Sequence, residues 1–206
     1  MPKLAQYRHV LAFGAHPDDL EVGAGGLLAR LAAEGAAVTL VVASVPNRFA
    51  IRCAEATGGA ARLGARLLLP AADRESRVGD VPMHELVGRF EGVLAATPAD
   101  LVVVHGERDG HEDHAITHRA VLAALRRARC DVLAYATRLP VGAAPPPPTC
   151  IVDISSSIDS KVAAITEHAS QFPPAFAETR RVVARTLGAT YGVPYAEVYE
   201  VLRITL

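Results

Sequence analysis

Short apolar runs recur along the chain: HVLAFGA (9–15), AVTLVVAS (37–44), RLLLP (66–70), DLVVVHG (100–106), DVLAYAT (131–137) and CIVDIS (150–155). Most lack the polar alternation of a half-exposed strand, the pattern of strands covered on both faces. Between them lie segments with helical spacing: GGLLARLAAEG closed by Gly35, FAIRCAEATGGAARLG closed by Gly64, MHELVGRFEGVLAAT ahead of Pro98, and HAITHRAVLAALRRA. Glycine after the last turn and proline just beyond it are helix stop signals. Strand and helix alternating in this way predict right-handed βαβ units, hence a three-layer, Rossmann-like α/β fold with a mostly parallel sheet. The stretch GAAPPPP (142–148) suits neither a helix nor a central strand and is predicted to be a stiff surface connection. With half of its 206 residues hydrophobic, the chain is read as one domain, 1–206, around a sizeable core.

Charge narrows the partners. Twenty-one basic and 22 acidic residues give a net charge of −1 and no global field to attract nucleic acid or an anionic membrane. A small-molecule or saccharide substrate is expected instead. Cys53, Cys130 and Cys150 are far apart and form no C-x-x-C pair, so neither a disulfide framework nor a cysteine zinc site is signalled, and a cytoplasmic home is the simplest. The N-terminal MPKLAQYRHVLAFGAHPDD reaches a charged motif before any long apolar segment, which argues against a signal peptide, and no run approaches membrane-spanning length.

Two charged clusters change the picture, because each directly follows an apolar strand: HPDD after HVLAFGA, and HGERDGHEDH after DLVVVHG. In open α/β sheets ligands bind where strands deliver their carboxyl ends, so both clusters should emerge on one rim. A phosphate loop is a poor fit for the first. Gly23 and Gly25 are followed by Leu28 where G-x-G-x-x-G needs its last glycine, no G-K-[ST] follows, and Asp18, Asp19 and Glu21 would repel the anion. A metal uses the same residues without strain, since imidazole and carboxylate together suit Zn²⁺ or Fe²⁺. His16 and Asp19 could supply two ligands, and HEDH offers His111 and His114 for a third. HEDH spaces its histidines by three and is not the H-E-x-x-H motif; His114 and His118 are four apart, but no glutamate follows His114, and His118 is read as packing or facing solvent. Taken singly, each residue has a plainer alternative: Asp18 and Asp19 could cap the helix that follows them.

AHPDDLE (15–21) and HEDH (111–114) resemble the hallmarks of the LmbE-like, or PIG-L, family of zinc-dependent N-acetylglucosaminyl deacetylases. GAGG (23–26), RCAEATGGAARLG (52–64), KVAAITEHASQ (161–171) and YAEVYE (195–200) resemble further family segments in the same order. The resemblance implies an LmbE-like fold, a metal held by His16, Asp19 and His114, Asp18 as general base, and His111 assisting the oxyanion or the leaving group. A nearby unligated carboxylate can take a proton from water as it attacks an acetamide carbonyl, and a protonated imidazole N–H can stabilise the resulting oxyanion. Asp113 is expected either to orient His111 or to cap the following helix, and Arg52 to reach the substrate or the oxyanion with its planar fork. Arg108 and Asp109 are left without roles. The implied activity is removal of an N-acetyl group from an N-acetylglucosamine-type sugar or small glycoconjugate, in an enzyme that self-associates. Alternatives are an amidase on another small conjugate, such as a secondary metabolite or thiol conjugate, and a metal- or sugar-binding module without turnover.

Overall fold

A computed structural model describes residues 4–70, 74–137 and 148–205. Seven strands form one sheet: β1 (His9–Gly14), β2 (Ala37–Val42), β3 (Arg66–Leu68), β4 (Leu101–His105), β5 (Asp131–Tyr135), β6 (Cys150–Asp153) and β7 (Ala196–Arg203). Their order is β3-β2-β1-β4-β5-β7-β6. Strands β1 to β5 are mutually parallel, as the apolar runs predicted, and β1 through β5 are buried almost throughout except for the short edge strand β3.

Among the described residues, six α-helices cover the sheet: α1 (Asp19–Ala33), α2 (Phe49–Leu63), α3 (Met83–Ala96), α4 (Glu112–Ala124), α5 (Ile158–Thr166) and α6 (Phe176–Tyr191). One core layer takes its side chains from α1, α2, α5 and α6, through residues such as Leu28, Leu63, Ile165 and Ala184. The opposite layer is filled from α3 and α4, with Phe90 meeting Phe13 edge-on at 5.1 Å and Val121 beside it in the cluster. Right-handed crossovers leading outward from β1 to β3 and back to β4 put helices on opposite faces in this way.

The sheet is mostly parallel, as expected, and its antiparallel pairing is confined to one edge. CIVDIS forms β6, a partly exposed edge strand, and it pairs antiparallel with β7, which itself runs antiparallel to β5. A short apolar run carries no direction, and β7 beside it overlaps YAEVYE, which the sequence marks only as a family segment. The proline-rich connection predicted over 142–148 lies, apart from Pro148, outside the described residues.

The outward divergence of the sheet begins between β1 and β4, which are hydrogen-bonded neighbours whose crossovers lead to opposite sides. Their carboxyl ends therefore open a crevice, and both charged clusters emerge there.

Candidate metal centre

Helix α1 starts at Asp19, well before the glycines that its spacing suggested, so the HPDD segment is a tight corner between β1 and α1. Asp18 sits at its N-cap with φ 105° and ψ −28°, a backbone conformation that costs a non-glycine residue on the order of 1–3 kcal/mol. It makes no capping hydrogen bond, so the cap alternative does not account for it. The strained corner turns the two adjacent carboxylates in different directions. Asp19 accepts the His16 backbone N–H at 2.8 Å and faces inward, whereas Asp18 turns to Arg52, whose Nη2 donates to it at 3.1 Å and to the Pro17 carbonyl at 2.9 Å.

The glycines that looked like a phosphate loop serve packing. A Cβ on Gly23 would lie 2.1 Å from the Tyr135 ring, and one on Gly26 2.7 Å from Ile154, so α1 could not lie this close to the sheet with larger residues. Glu197 reinforces the approach by accepting the Gly26 and Leu27 N–H groups, the Tyr199 hydroxyl and the Lys161 ammonium. Lys161 also donates to the Val22 carbonyl at 2.8 Å. The KVAAIT and YAEVYE segments thus hold α1, and with it the corner, in place.

On the other rim, α4 begins at Glu112, and His111 is its N-cap: Nδ1 accepts the Asp113 N–H at 3.1 Å. His111, His114 and His105 form a stack, with ring centroids 4.6 Å and 3.9 Å apart. His114 places Nε2 3.2 Å from Asp19 Oδ1, while His16 places Nδ1 3.5 Å from Asp19 Oδ2. Behind each imidazole stands a carboxylate. Asp109 takes His114 Nδ1–H at 2.8 Å, and Asp113 takes His16 Nε2–H at 2.9 Å.

Two expectations need correction. The Asp113 carboxylate orients His16 and not His111, because the N-cap geometry already engages His111 through the Asp113 backbone. Arg52 is buried, and its Nη2 is held by Asp18 and Pro17; its grip falls on a site carboxylate, even though it lines the cleft. From the same turn of α2, Glu55 accepts the Ser170 N–H and hydroxyl, each at 2.7 Å, and steadies the segment that brings Gln171 to the cleft.

Sequence reasoning missed two buried groups. Asp109, which the sequence left without a role, holds His114 and also accepts the Thr137 N–H at 2.8 Å. His105, the last residue of β4, lies against Asp19, and its Nε2 accepts the Ala15 N–H at 3.1 Å. A histidine ending an apolar strand ahead of a charged loop was the available signal for the second. His118 packs: it is buried, and its Nδ1–H donates to the His105 carbonyl at 2.7 Å.

The electrostatics follow from this crowding. Burial and the neighbouring Asp19 charge push the Asp18 carboxyl up to about 7, against the pull of Arg52. Burial alone would also raise Asp19, but His105, His114 and His16 hold it well below the usual carboxylate range. Burial works to lower His114, yet Asp109 and Asp19 carry it to about 9, and Asp19 and Asp113 likewise raise His16. Burial and then the charges of His114 and His16 push His111 down, leaving it neutral. With Nδ1 accepting, its proton resides on Nε2. The centre is one that attracts positive charge, and protons compete with any cation for His16 and His114.

Among the described residues, three groups of side chains could hold a cation: His16 with Asp19 and His114, His16 with His111 and Asp113, and His105 with Asp109 and His114. In the first, the imidazole nitrogens facing Asp19 are opposite the nitrogens bound by Asp113 and Asp109, the usual carboxylate–histidine–metal arrangement. In the other two those supporting contacts would have to be given up. The centre floors a cleft of about 560 Å³, within the size of small-molecule sites, with Asp18, His111, Arg52, Gln171, Phe172, Phe176 and Arg180 on its walls.

A Rossmann-like sheet with clustered histidines and carboxylates at its divergence point defines an α/β protein with a candidate metal centre at the floor of a cleft. Residues 11–125, more than half of the chain, match the PIG-L family, GlcNAc-PI de-N-acetylase, and the chain belongs to that family. It is 28% identical over 227 residues to the 1D-myo-inositol 2-acetamido-2-deoxy-alpha-D-glucopyranoside deacetylase of Mycobacteroides abscessus, covering 80% of this chain and 81% of that one. Among solved structures, the conserved protein TT1542 from Thermus thermophilus superimposes with a TM-score of 0.77 at 28% identity, covering 96% of both chains. GalB, the 4-carboxy-2-hydroxymuconate hydratase from Pseudomonas putida KT2440, shares the fold with a TM-score of 0.79 at 22% identity, covering 97% of this chain and 98% of that one. One fold thus hosts more than one reaction, and chemistry must be argued from the site. No helix among the described residues is long and apolar enough to cross a membrane.

Proposed function

We propose that this chain is a metal-dependent amide hydrolase that removes the acetyl group from an N-acetylglucosamine-type sugar or a small conjugate of one, with Zn²⁺ as the expected ion and Fe²⁺ as the alternative. The observation that carries this reading is the divergence of Asp18 and Asp19 at one strained corner, one carboxylate between two carboxylate-backed histidines and the other held at the cleft by Arg52. His16, Asp19 and His114 are assigned to the ion, whose donor set of two imidazoles and a carboxylate suits it and leaves a position open for substrate or water. When bound, the ion supplies Lewis acidity, favouring ionisation of water and polarising the amide carbonyl.

Asp18 accepts the proton of the attacking water, a task helped by a carboxyl titrating near neutrality. Arg52 favours its ionised form and aims it. His111, fixed by its cap as the Nε2–H tautomer, donates that proton as a hydrogen bond to the developing oxyanion without needing to be protonated. Asp18 then returns its proton to the leaving amine as the C–N bond breaks. Water and amide become acetate and a free amino sugar.

Acetate release from a panel of N-acetylated amino sugars, measured with added Zn²⁺ for wild type and Asp18→Asn, tests this reading. Turnover by wild type and its loss in a variant that still binds metal are expected. A metal-loaded wild type inert across the panel would reject it in favour of a binding module.

A further inference from the structure

We propose that the α6 wall of the cleft is an anion-binding subsite, in which Arg180, assisted by Arg77 at the rim, recognises a carboxylate or phosphate group carried by the substrate away from its amide. The proposal rests on the deacetylase reading and narrows its substrate class. It starts from two adjacent arginines on one helix. Arg181 is part-exposed and is neutralised twice, by Asp159 at 2.7 Å and Glu178 at 3.0 Å. Arg180 lines the cleft and forms no ion pair among the described residues, and its Nε is shut off from solvent with no hydrogen-bond partner there.

The carboxylate whose charge Arg180 feels is Glu197, and that group already accepts Lys161 at 2.5 Å, Tyr199 at 2.6 Å and two backbone N–H groups. Its charge is balanced without Arg180. The surroundings also withhold water: burial pushes the Arg180 guanidinium down, and the stacked rings of Phe172 and Phe176, 4.1 Å apart, line the same cleft. A partly buried cation with an orphaned N–H is unfavourable unless something completes it. A guanidinium fork matches carboxylate and phosphate oxygens in pairs, which makes an anion the natural complement.

The other cleft arginines divide accordingly. Arg52 also has an Nε without a partner, but its charge is paired with Asp18, whereas exposed Arg77 lines the cleft with no ion pair among the described residues. The acidic groups of the cleft lie on the β1 and α4 side with the histidines. The fixed charges therefore set an anion-repelling floor beside a cationic wall, which would orient a substrate bearing an amide at one end and an anion at the other.

The test uses the zinc-loaded protein and three matched N-acetylglucosaminides whose aglycone ends in a methyl, a carboxylate or a phosphate. Wild type is expected to show at least a tenfold higher kcat/KM for an anionic substrate than for the neutral one, with the preference shrinking as NaCl rises. Arg180→Met should lower the anionic-to-neutral ratio at least tenfold, Arg180→Lys should retain part of it, and Arg181→Met should leave it unchanged. The carboxylate and phosphate arms identify which anion fits. Calorimetric binding of the three corresponding free glucosaminides reads the subsite without turnover. If no substrate is hydrolysed but the anionic glucosaminides bind tighter in an Arg180-dependent way, the deacetylase reading falls and the subsite stands. A wild-type ratio near one in both assays, or equal losses in Arg180→Met and Arg181→Met, overturns the subsite.

Discussion

The β1–β4 rim and the α6 wall face the same cleft, yet they are held very differently. On the rim three of the side chains assigned to the chemistry have an oppositely charged or hydrogen-bonding partner behind them: Asp113 behind His16, Asp109 behind His114, Arg52 behind Asp18. On the α6 wall Arg180 has no such support among the described residues. A group that must take part in bond making is fixed in advance, because misplacement of reacting groups is costly in rate. A group that recognises a substituent can be left for the ligand to complete. The contrast separates residues that set the reaction from residues that set the substrate, and it can be attacked from both sides.

The largest effect is expected at the rim. His114→Ala removes one proposed ligand and the stack partner of both His105 and His111, and kcat/KM for an N-acetylglucosaminide should fall by several orders of magnitude, with zinc content falling in parallel. Retention of zinc by this variant would shift the ion to another of the three candidate groups. Asp18→Asn comes next: kcat should drop by roughly 10²–10⁴-fold, the usual worth of a general base. The same group sets the acid side of the pH profile. Its carboxyl is raised to about 7, and the base works only when ionised, so activity should fall as pH falls through the limb. A cation beside it favours the carboxylate, so in the loaded enzyme the limb should lie at or below about pH 7. An acid limb that persists in a residually active Asp18→Asn would assign it elsewhere.

Smaller losses should follow from the supporting carboxylates. Asp109→Asn and Asp113→Asn should each weaken zinc binding by about 10–100-fold, as removal of a histidine's partner typically does. Competition titration against a chelator reads this directly, and no change in either would mean that the partners are incidental. The smallest effect on chemistry is expected where only packing is touched. Gly23→Ala presses a methyl into the Tyr135 ring and should cost about 1–3 kcal/mol of stability, read as a lowered melting temperature, with zinc affinity largely kept.

What could be read in the sequence follows the same division. The parallel core was visible because strands buried on both faces must be continuous apolar runs, and the corner residues were visible because histidine and aspartate crowd a strand end. Asp109 and His105 were not assigned, since sequence spacing alone does not show which way a loop carboxylate or a strand-end histidine turns: Asp109 reaches His114 five residues on and also Thr137, and His105 meets the Ala15 N–H from a neighbouring strand end. The partner of Asp113 was misjudged because sequence proximity favoured His111, whereas helix capping rotates the carboxylate toward His16, 97 residues away. The β6–β7 edge escaped because a strand's direction is set by the crossover that leads to it. Arg180 looked identical to Arg181 in the sequence, and only their surroundings distinguish them.

The central claim is that two adjacent aspartates hold different posts, one on the ion and one on the proton. Equilibrium zinc titration of Asp18→Asn beside Asp19→Asn, with circular dichroism confirming that both are folded, tests it most directly. Asp18→Asn should bind zinc within a few-fold of wild type, whereas Asp19→Asn should lose at least about two orders of magnitude in affinity. Equal affinity in the two variants, whether retained or lost, would contradict the account.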